Sequence, residues 1–208
     1  MNEVLIVVVF IFVIIGIVVM FLLDDKKSKK ELLKQEQENQ ARKVEQEISE
    51  KKDRESERIK WNKKIKDNLN IKVKEKPNKK LKVLIADYNA GMISITSSVF
   101  ESIGIETYLV ESGYDILDLI NDGKKYDAII TNNIFRNCPD SYVILDQLRE
   151  IDGFNIPVVI LTVSMQQRHH FINELGFDEY VEKPIDTEKA KKALCSVIKD
   201  LKFTKIKK

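Results

Sequence analysis

The chain has few residues that could cross-link it or hold a zinc ion. Its 208 residues contain two cysteines, Cys138 and Cys195. Neither stands in a CxxC or CxxH spacing. A disulfide scaffold and a zinc module are therefore excluded, and both read as reduced thiols. A strong net charge is also lacking, the balance being +2. That small number hides two opposed regions. Residues 24–80 carry 20 Lys and Arg against 13 Asp and Glu, whereas residues 81–208 carry 15 against 19. The acidic second region offers no basic surface for nucleic acid. Residues 4–23 lack charge altogether, and residues 31–69 lack both glycine and proline. The first absence marks a membrane-compatible segment and the second an uninterrupted helix.

Val4–Leu23 reads VLIVVVFIFVIIGIVVMFLL. Twenty residues of helix reach about 30 Å, the thickness of a bilayer's hydrocarbon core. A cleaved leader would need a basic stretch before the run and small residues at its end. Only Asn2 and Glu3 precede it, and Met20, Phe21, Leu22 and Leu23 close it, so residues 1–23 are expected to be a retained anchor. Lys26, Lys27, Lys29 and Lys30 follow the run and no Lys or Arg precedes it. The positive flank stays in the cytoplasm, which predicts an outside N-terminus and a cytoplasmic remainder. A stop-transfer flank explains these lysines as well as contact with anionic headgroups does.

Residues 24–80 form a charged spacer. Glu, Lys, Gln and Arg lose little on entering a helix, and Glu38/Arg42, Glu47/Lys51 and Glu50/Arg54 place the acid four residues before the base. Ala41, Val44 and Ile48 make one coiled-coil-like turn, but the next seam positions fall on Lys51 and Glu55. A solvated helix is the leading expectation, with a weak coiled coil and a homodimer through the spacer as the alternative. Lys72–Lys80, with Pro77, reads as a hinge.

From Leu81 short β-branched runs alternate with amphipathic stretches. Strands are expected at Lys82–Ala86, Glu106–Val110, Ala128–Asn132, Val158–Thr162 and Glu179–Glu182. Helices are expected at Met92–Ile103, Tyr114–Asn121, Ser141–Glu150, Met165–Leu175 and Thr187–Leu201. Continuous apolar strands belong to a sheet covered on both faces, and five strand–helix repeats imply parallel strands with right-handed crossovers. The fold class is therefore α/β, a flavodoxin-like doubly wound five-stranded parallel sheet over residues 81–201, followed by a basic tail at 202–208. No output domain is expected after Leu201. Ligand chemistry in such a sheet belongs at the C-terminal ends of the strands.

Those ends carry a family resemblance. Gly176-Phe177-Asp178-Glu179-Tyr180-Val181-Glu182-Lys183-Pro184 resembles the signature in which a glycine, an acidic turn and an aromatic lead into Lys-Pro. Lys82–Asp87 is similar to a first strand ending in an acidic pair, Tyr126–Asn132 to the third strand, and Ile156–Thr162 to the fourth with its switch threonine. Together, in order and spacing, they resemble a response-regulator receiver domain. The resemblance implies an aspartate that takes a phosphoryl group with the help of Mg²⁺, an anionic nucleophile meeting an anionic group under charge neutralisation.

The nucleophile position holds Asn132, a neutral carboxamide. Asp127 lies about 16 Å away along the strand, and nothing aims Asp140 at the pocket. Of the acidic pair, Asp87 remains and Tyr88 takes its partner's place, so Mg²⁺ binding is expected to be weak or absent. Thr162 matches the threonine, followed by Val163, which is expected to obstruct access. Lys183 matches the phosphate-contacting lysine, and without a phosphate it is expected to pair with Asp87 and the Asn132 oxygen. The resemblance implies a cis Lys183–Pro184 bond and a switch role for Tyr180. Inherited scaffold is the competing reading for Thr162, Lys183 and Tyr180.

The leading expectation is a membrane-tethered pseudo-receiver with no enzymatic activity and no cofactor, acting through a protein partner in a two-component or phosphorelay setting. A receiver modified on an unorthodox residue is the alternative. A flavodoxin-like nucleotide binder or enzyme is the third, although Asp87-Tyr88-Asn89-Ala90-Gly91 supplies one glycine and an acid where a phosphate would sit. The partner's footprint is expected around Tyr180, with Glu188, Lys191, Lys192 and Lys199 beside it.

Overall fold

In the computed structural model the backbone is described for residues 3–67, 71, 73, 75–163 and 168–206. Side chains of the first helix are described at Lys29 and from Lys34 onward. The chain divides into two compact units, Met1–Glu57 and Arg58–Lys208. One helix, α1 (Glu3–Asp67), supplies all of the described first unit and the start of the second. In the first unit Gln46 donates to Glu50 at 2.9 Å, while Val44 and Ile48 are 54% and 51% exposed. Among the described residues no helix is long and apolar enough to cross a membrane. The side chains of the expected anchor, Val4–Leu23, lie outside them.

The second unit holds the sheet, formed by β2 (Lys82–Ala86), β3 (Glu106–Val110), β4 (Ala128–Thr131), β5 (Val158–Thr162) and β6 (Glu179–Glu182). A further pair of strands lies outside it: β1 (Glu75–Pro77) and β7 (Phe203–Lys205). The five strands are parallel in the order β3-β2-β4-β5-β6, as the doubly wound expectation requires. Four of them keep the expected bounds, and β4 stops one residue early, leaving Asn132 just past its end.

Helices cover both faces. On one, Ile93 and Phe100 of α2 (Ala90–Ser102) and Ala190, Ala193 and Leu194 of α5 (Thr187–Val197) meet Val83, Ile85, Ile130 and Val159. On the other, Ile116 and Leu119 of α3 (Gly113–Asn121) and Ile144, Leu145 and Leu148 of α4 (Ser141–Glu150) meet Leu84, Ile129 and Ile160. A Cβ on Gly113 would lie 2.5 Å from Ile144 Cγ1, so glycine lets α3 approach α4. Full burial of each large side chain contributes about 1.5–3 kcal/mol. These strands read clearly in the sequence because both of their faces are apolar.

Several boundaries differ from expectation. The receiver-like unit begins at Arg58 and not at Leu81, because Trp61 and Ile65 of α1 pack on its core. Parts of the expected hinge and tail are strands: β1 pairs antiparallel with β7, Glu75 opposite Lys205 and Pro77 opposite Phe203. Proline is tolerated in so short an edge pair. Gly104, at φ 75°, leaves space for it, since a Cβ there would meet Glu75 O at 3.2 Å and Pro77 Cδ at 3.3 Å. The helix expected to run to Leu201 ends at Val197, with Ile198 in extended backbone and Asp200 at φ 58°. Of the stretch Met165–Leu175, residues 165–167 lie outside the described residues. Arg168 and His169 are helical, and His170–Glu174 winds as a π-helix.

Candidate functional site: the receiver pocket

Parallel strands place the residues that follow β2, β4 and β6 side by side at one end of the sheet. Asp87 follows β2, Asn132 follows β4 and Lys183 follows β6. Lys183 Nζ donates to Asp87 Oδ2 at 2.6 Å and to Asn132 Oδ1 at 2.9 Å. The Lys183 and Asp87 side chains are 9% and 6% exposed. The pairing expected of the lysine is therefore present, and the Lys183–Pro184 bond is cis.

Each polar atom of this cluster has a partner. Asp87 Oδ1 accepts from Asn89 N at 3.0 Å. Asn132 Nδ2 donates to Ile134 O at 2.7 Å. A carboxamide can accept through one atom and donate through the other, and Asn132 does both. A carboxylate could accept from Lys183 but could not donate to Ile134 O.

Tyr88 is half-buried against the second face of the core, and the Arg136 guanidinium carbon lies 4.9 Å from its ring centroid. Such a contact is attractive because the ring face is electron-rich. Arg136 was not legible as a site residue, since nothing in its local pattern marks it. Thr162 is 1% exposed, and among the described residues its Oγ1 has no hydrogen-bond partner. Val163, expected to obstruct access, is 76% exposed. The two stand-in acids are elsewhere. Asp127 accepts from Lys82 N at 2.7 Å at the far end of the sheet, and Asp140 is the N-cap of α4. Among the described residues no three His, Cys, Asp or Glu side chains gather to hold a metal ion.

Tyr180 lies on β6, half-buried, with its ring stacked on that of Phe171 at 6.0 Å between centroids. Burial raises its phenol above the usual tyrosine range, and the Glu182 carboxylate adds to the effect. A groove of about 440 Å³ opens beside it, lined by Arg168, Glu179, Tyr180, Glu182, Lys189 and Lys192. Arg168 pairs with Glu179 at 2.5 Å. Burial pushes the Glu179 carboxyl up, but the Tyr180 N–H and Arg168 outweigh it and hold the group below the usual range. Lys191, expected beside Tyr180 as a docking cation, is committed internally: it pairs with Glu75 at 2.8 Å and with Glu188 at 2.5 Å. Those two carboxylates raise its ammonium above the usual lysine range.

Residues 83–195 match the family model of the response regulator receiver domain. No curated protein matches the chain. Among solved structures, the chemotaxis response regulator CheY4 of Vibrio cholerae is 20% identical at a TM-score of 0.50, covering 58% of this chain and 100% of that one. A CheY-like receiver domain from Methylobacillus flagellatus is 23% identical at 0.51, covering 57% and 99%. A sensor protein from Polaromonas sp. JS666 is 17% identical at 0.52, covering 57% and 96%. At these identities the structural likeness shows the fold, and the family match spans more than half of the sequence. This chain belongs to the response regulator receiver family of two-component signalling.

Proposed function

We propose that this chain is a membrane-tethered pseudo-receiver that is not phosphorylated at its pocket and acts by binding a protein partner. The observation that carries this reading is the use of Asn132 as an amide, accepting from Lys183 and donating to Ile134 O. The position has the wrong chemistry for a nucleophile, and its surroundings are matched to that chemistry. Mg²⁺ fits the donor set poorly. One carboxylate is present, both of its oxygens already accept hydrogen bonds, and Lys183 holds the place of a cation. A hard dication demands several oxygen ligands near 2.1 Å. The phosphorelay alternative finds no stand-in carboxylate in the pocket, since Asp127 accepts from Lys82 N at the far end of the sheet and Asp140 stands at the start of α4.

The tether rests on the uncharged run Val4–Leu23 and the lysines after it. The partner would use the groove beside Tyr180, where an aromatic edge is ringed by charge. Two measurements test the reading. The full chain, incubated with labelled acetyl phosphate and Mg²⁺, should acquire no acyl-phosphate label, and robust labelling would reverse the proposal. Protease added outside intact cells should leave residues 24–208 uncut, and digestion of the receiver unit there would overturn the inside-facing tether.

A further inference from the structure

The open edge of the sheet away from β6 is β3. Successive residues of a parallel strand turn their main-chain groups alternately toward and away from the neighbour. Glu106 N donates to Leu81 O and Val110 O accepts from Asp87 N, so these residues face β2. Thr107 and Leu109 turn theirs outward. Such groups recruit further strands when an edge lies bare.

Here Arg58–Asp67, the end of α1, lies over them. Asn62 Oδ1 accepts from Leu109 N at 2.7 Å, and Asn62 Nδ2 donates to Leu109 O at 2.9 Å. The side chain presents one acceptor and one donor, as a peptide group does, so Asn62 supplies what one residue of a sixth strand would. It is 6% exposed within a run that also carries five Lys and Arg. Lys66 Nζ donates to Thr107 O at 2.5 Å and pairs with Glu101 at 3.1 Å. Arg58 pairs with Asp115, in the first turn of α3, at 2.6 Å. The ten residues thus grip α2, β3 and α3.

They also continue the spacer's repeat. Ala41, Val44, Ile48, Lys51, Glu55, Arg58, Asn62 and Ile65 recur at alternating steps of three and four. The repeat loses its apolar seam at Lys51 and Glu55, and its last three members turn to the receiver, Arg58 to α3, Asn62 to β3 and Ile65 to the core.

We propose that Arg58–Asp67 is a strap, built on Asn62, that closes β3 against strand pairing by a second copy of this chain. The strand's own chemistry selects that occupant. Thr107, Tyr108 and Val110 are good strand formers. In an antiparallel pair centred on Tyr108, Thr107 of each copy meets Leu109 of the other, and their outward groups bond mutually. The ion pairs of the strap remain partly exposed, at 13% and 30% for Arg58–Asp115 and 31% and 21% for Lys66–Glu101. The strap is independent of whether Asn132 accepts phosphate.

The test uses the full chain in detergent micelles. Asn62→Leu keeps the branching of the side chain and removes both hydrogen-bonding atoms. Amide hydrogen exchange at Leu109 should accelerate at least tenfold while Ile130 in β4 is unchanged, and light scattering should show a larger dimer fraction than the parent. Arg58→Glu should move both readouts the same way, and Arg58→Glu with Asp115→Arg should restore them. Unchanged Leu109 exchange in Asn62→Leu would overturn the strap. Faster Leu109 exchange with no rise in dimer would overturn the second copy as the excluded occupant. If Ile130 exchange also rises, that variant has lost its fold and the charge exchange decides, a failure to restore overturning the proposal.

Discussion

Lys183 Nζ stands 2.6 Å from Asp87 Oδ2 and 2.9 Å from Asn132 Oδ1, so one ammonium ties together the chain just beyond three strands of the sheet. In a site made for phosphoryl transfer that charge would meet an incoming anion. Here it is bonded to Asp87 and Asn132. Lys183→Met would leave the Asp87 carboxylate, 6% exposed, without its cation. Breaking one side of a buried pair costs about 3–5 kcal/mol, and thermal unfolding should fall by roughly 10 °C for a unit of this size. Asp87→Asn together with Lys183→Met should recover much of that loss. A drop for Lys183→Met of less than about 1 kcal/mol, the worth of a surface pair, would show that water already screens the site.

Restoring an acid at the nucleophile position should cost stability before it confers chemistry. Asn132→Asp removes the bond from Nδ2 to Ile134 O and sets a carboxylate against that carbonyl. A penalty of about 1–3 kcal/mol is expected in denaturant unfolding. Labelling by acetyl phosphate should remain slight, because Tyr88 still leaves a metal short of a ligand. Adding Tyr88→Asp should raise it. Strong labelling of Asn132→Asp alone would mean that Asp87 suffices to hold the metal.

The sheet and this pocket were legible because each rests on a local signal. A run such as Ala128–Thr131 is apolar on both faces and can be little else than an interior strand. Asp87, Asn132, Thr162 and Lys183 each follow or end such a run. What could not be read were arrangements whose stabilisation comes from distant partners. Arg58, Asn62 and Lys66 look like solvated helix positions until β3 lies beside them. Glu75–Pro77 and Phe203–Lys205 are three-residue strands rich in charge, formed only because opposite ends of the unit meet. Lys191 looked free for the same reason, its carboxylate partner Glu75 lying in the supposed hinge. Fragments that start near residue 78 would discard the strap and β1 together, so the measurements above belong on the full chain.

Thr162 offers a test of whether the pocket is inherited or in use. Its hydroxyl is buried with no hydrogen-bond partner among the described residues. An unsatisfied buried polar group costs about 1–3 kcal/mol. Thr162→Val, close in shape, should therefore stabilise the chain by about 1 kcal/mol and leave partner capture unchanged. Destabilisation by a similar amount would show that the hydroxyl has a partner in solution, an ordered water or a ligand.

The docking face can be tested at two residues that line the groove, Tyr180 and Lys192. Lys191 is unsuitable, because Lys191→Glu would break its pairs with Glu75 and Glu188 and disturb β1. Lys192 is exposed and lines the groove beside Tyr180. Tyr180→Ala removes the aromatic stacked on Phe171, a loss expected to cost about 1–3 kcal/mol of stability at a half-buried site. Lys192→Glu should cost almost none. Affinity capture of the intact chain from membranes, with each variant first shown to unfold cooperatively, should therefore separate binding from folding. Tyr180→Ala is expected to weaken partner capture at least tenfold, as an anchoring aromatic would. Lys192→Glu should weaken it severalfold, and the difference from the parent should shrink as salt is raised. Retention of every partner by both variants would place the docking site on another face of the receiver unit.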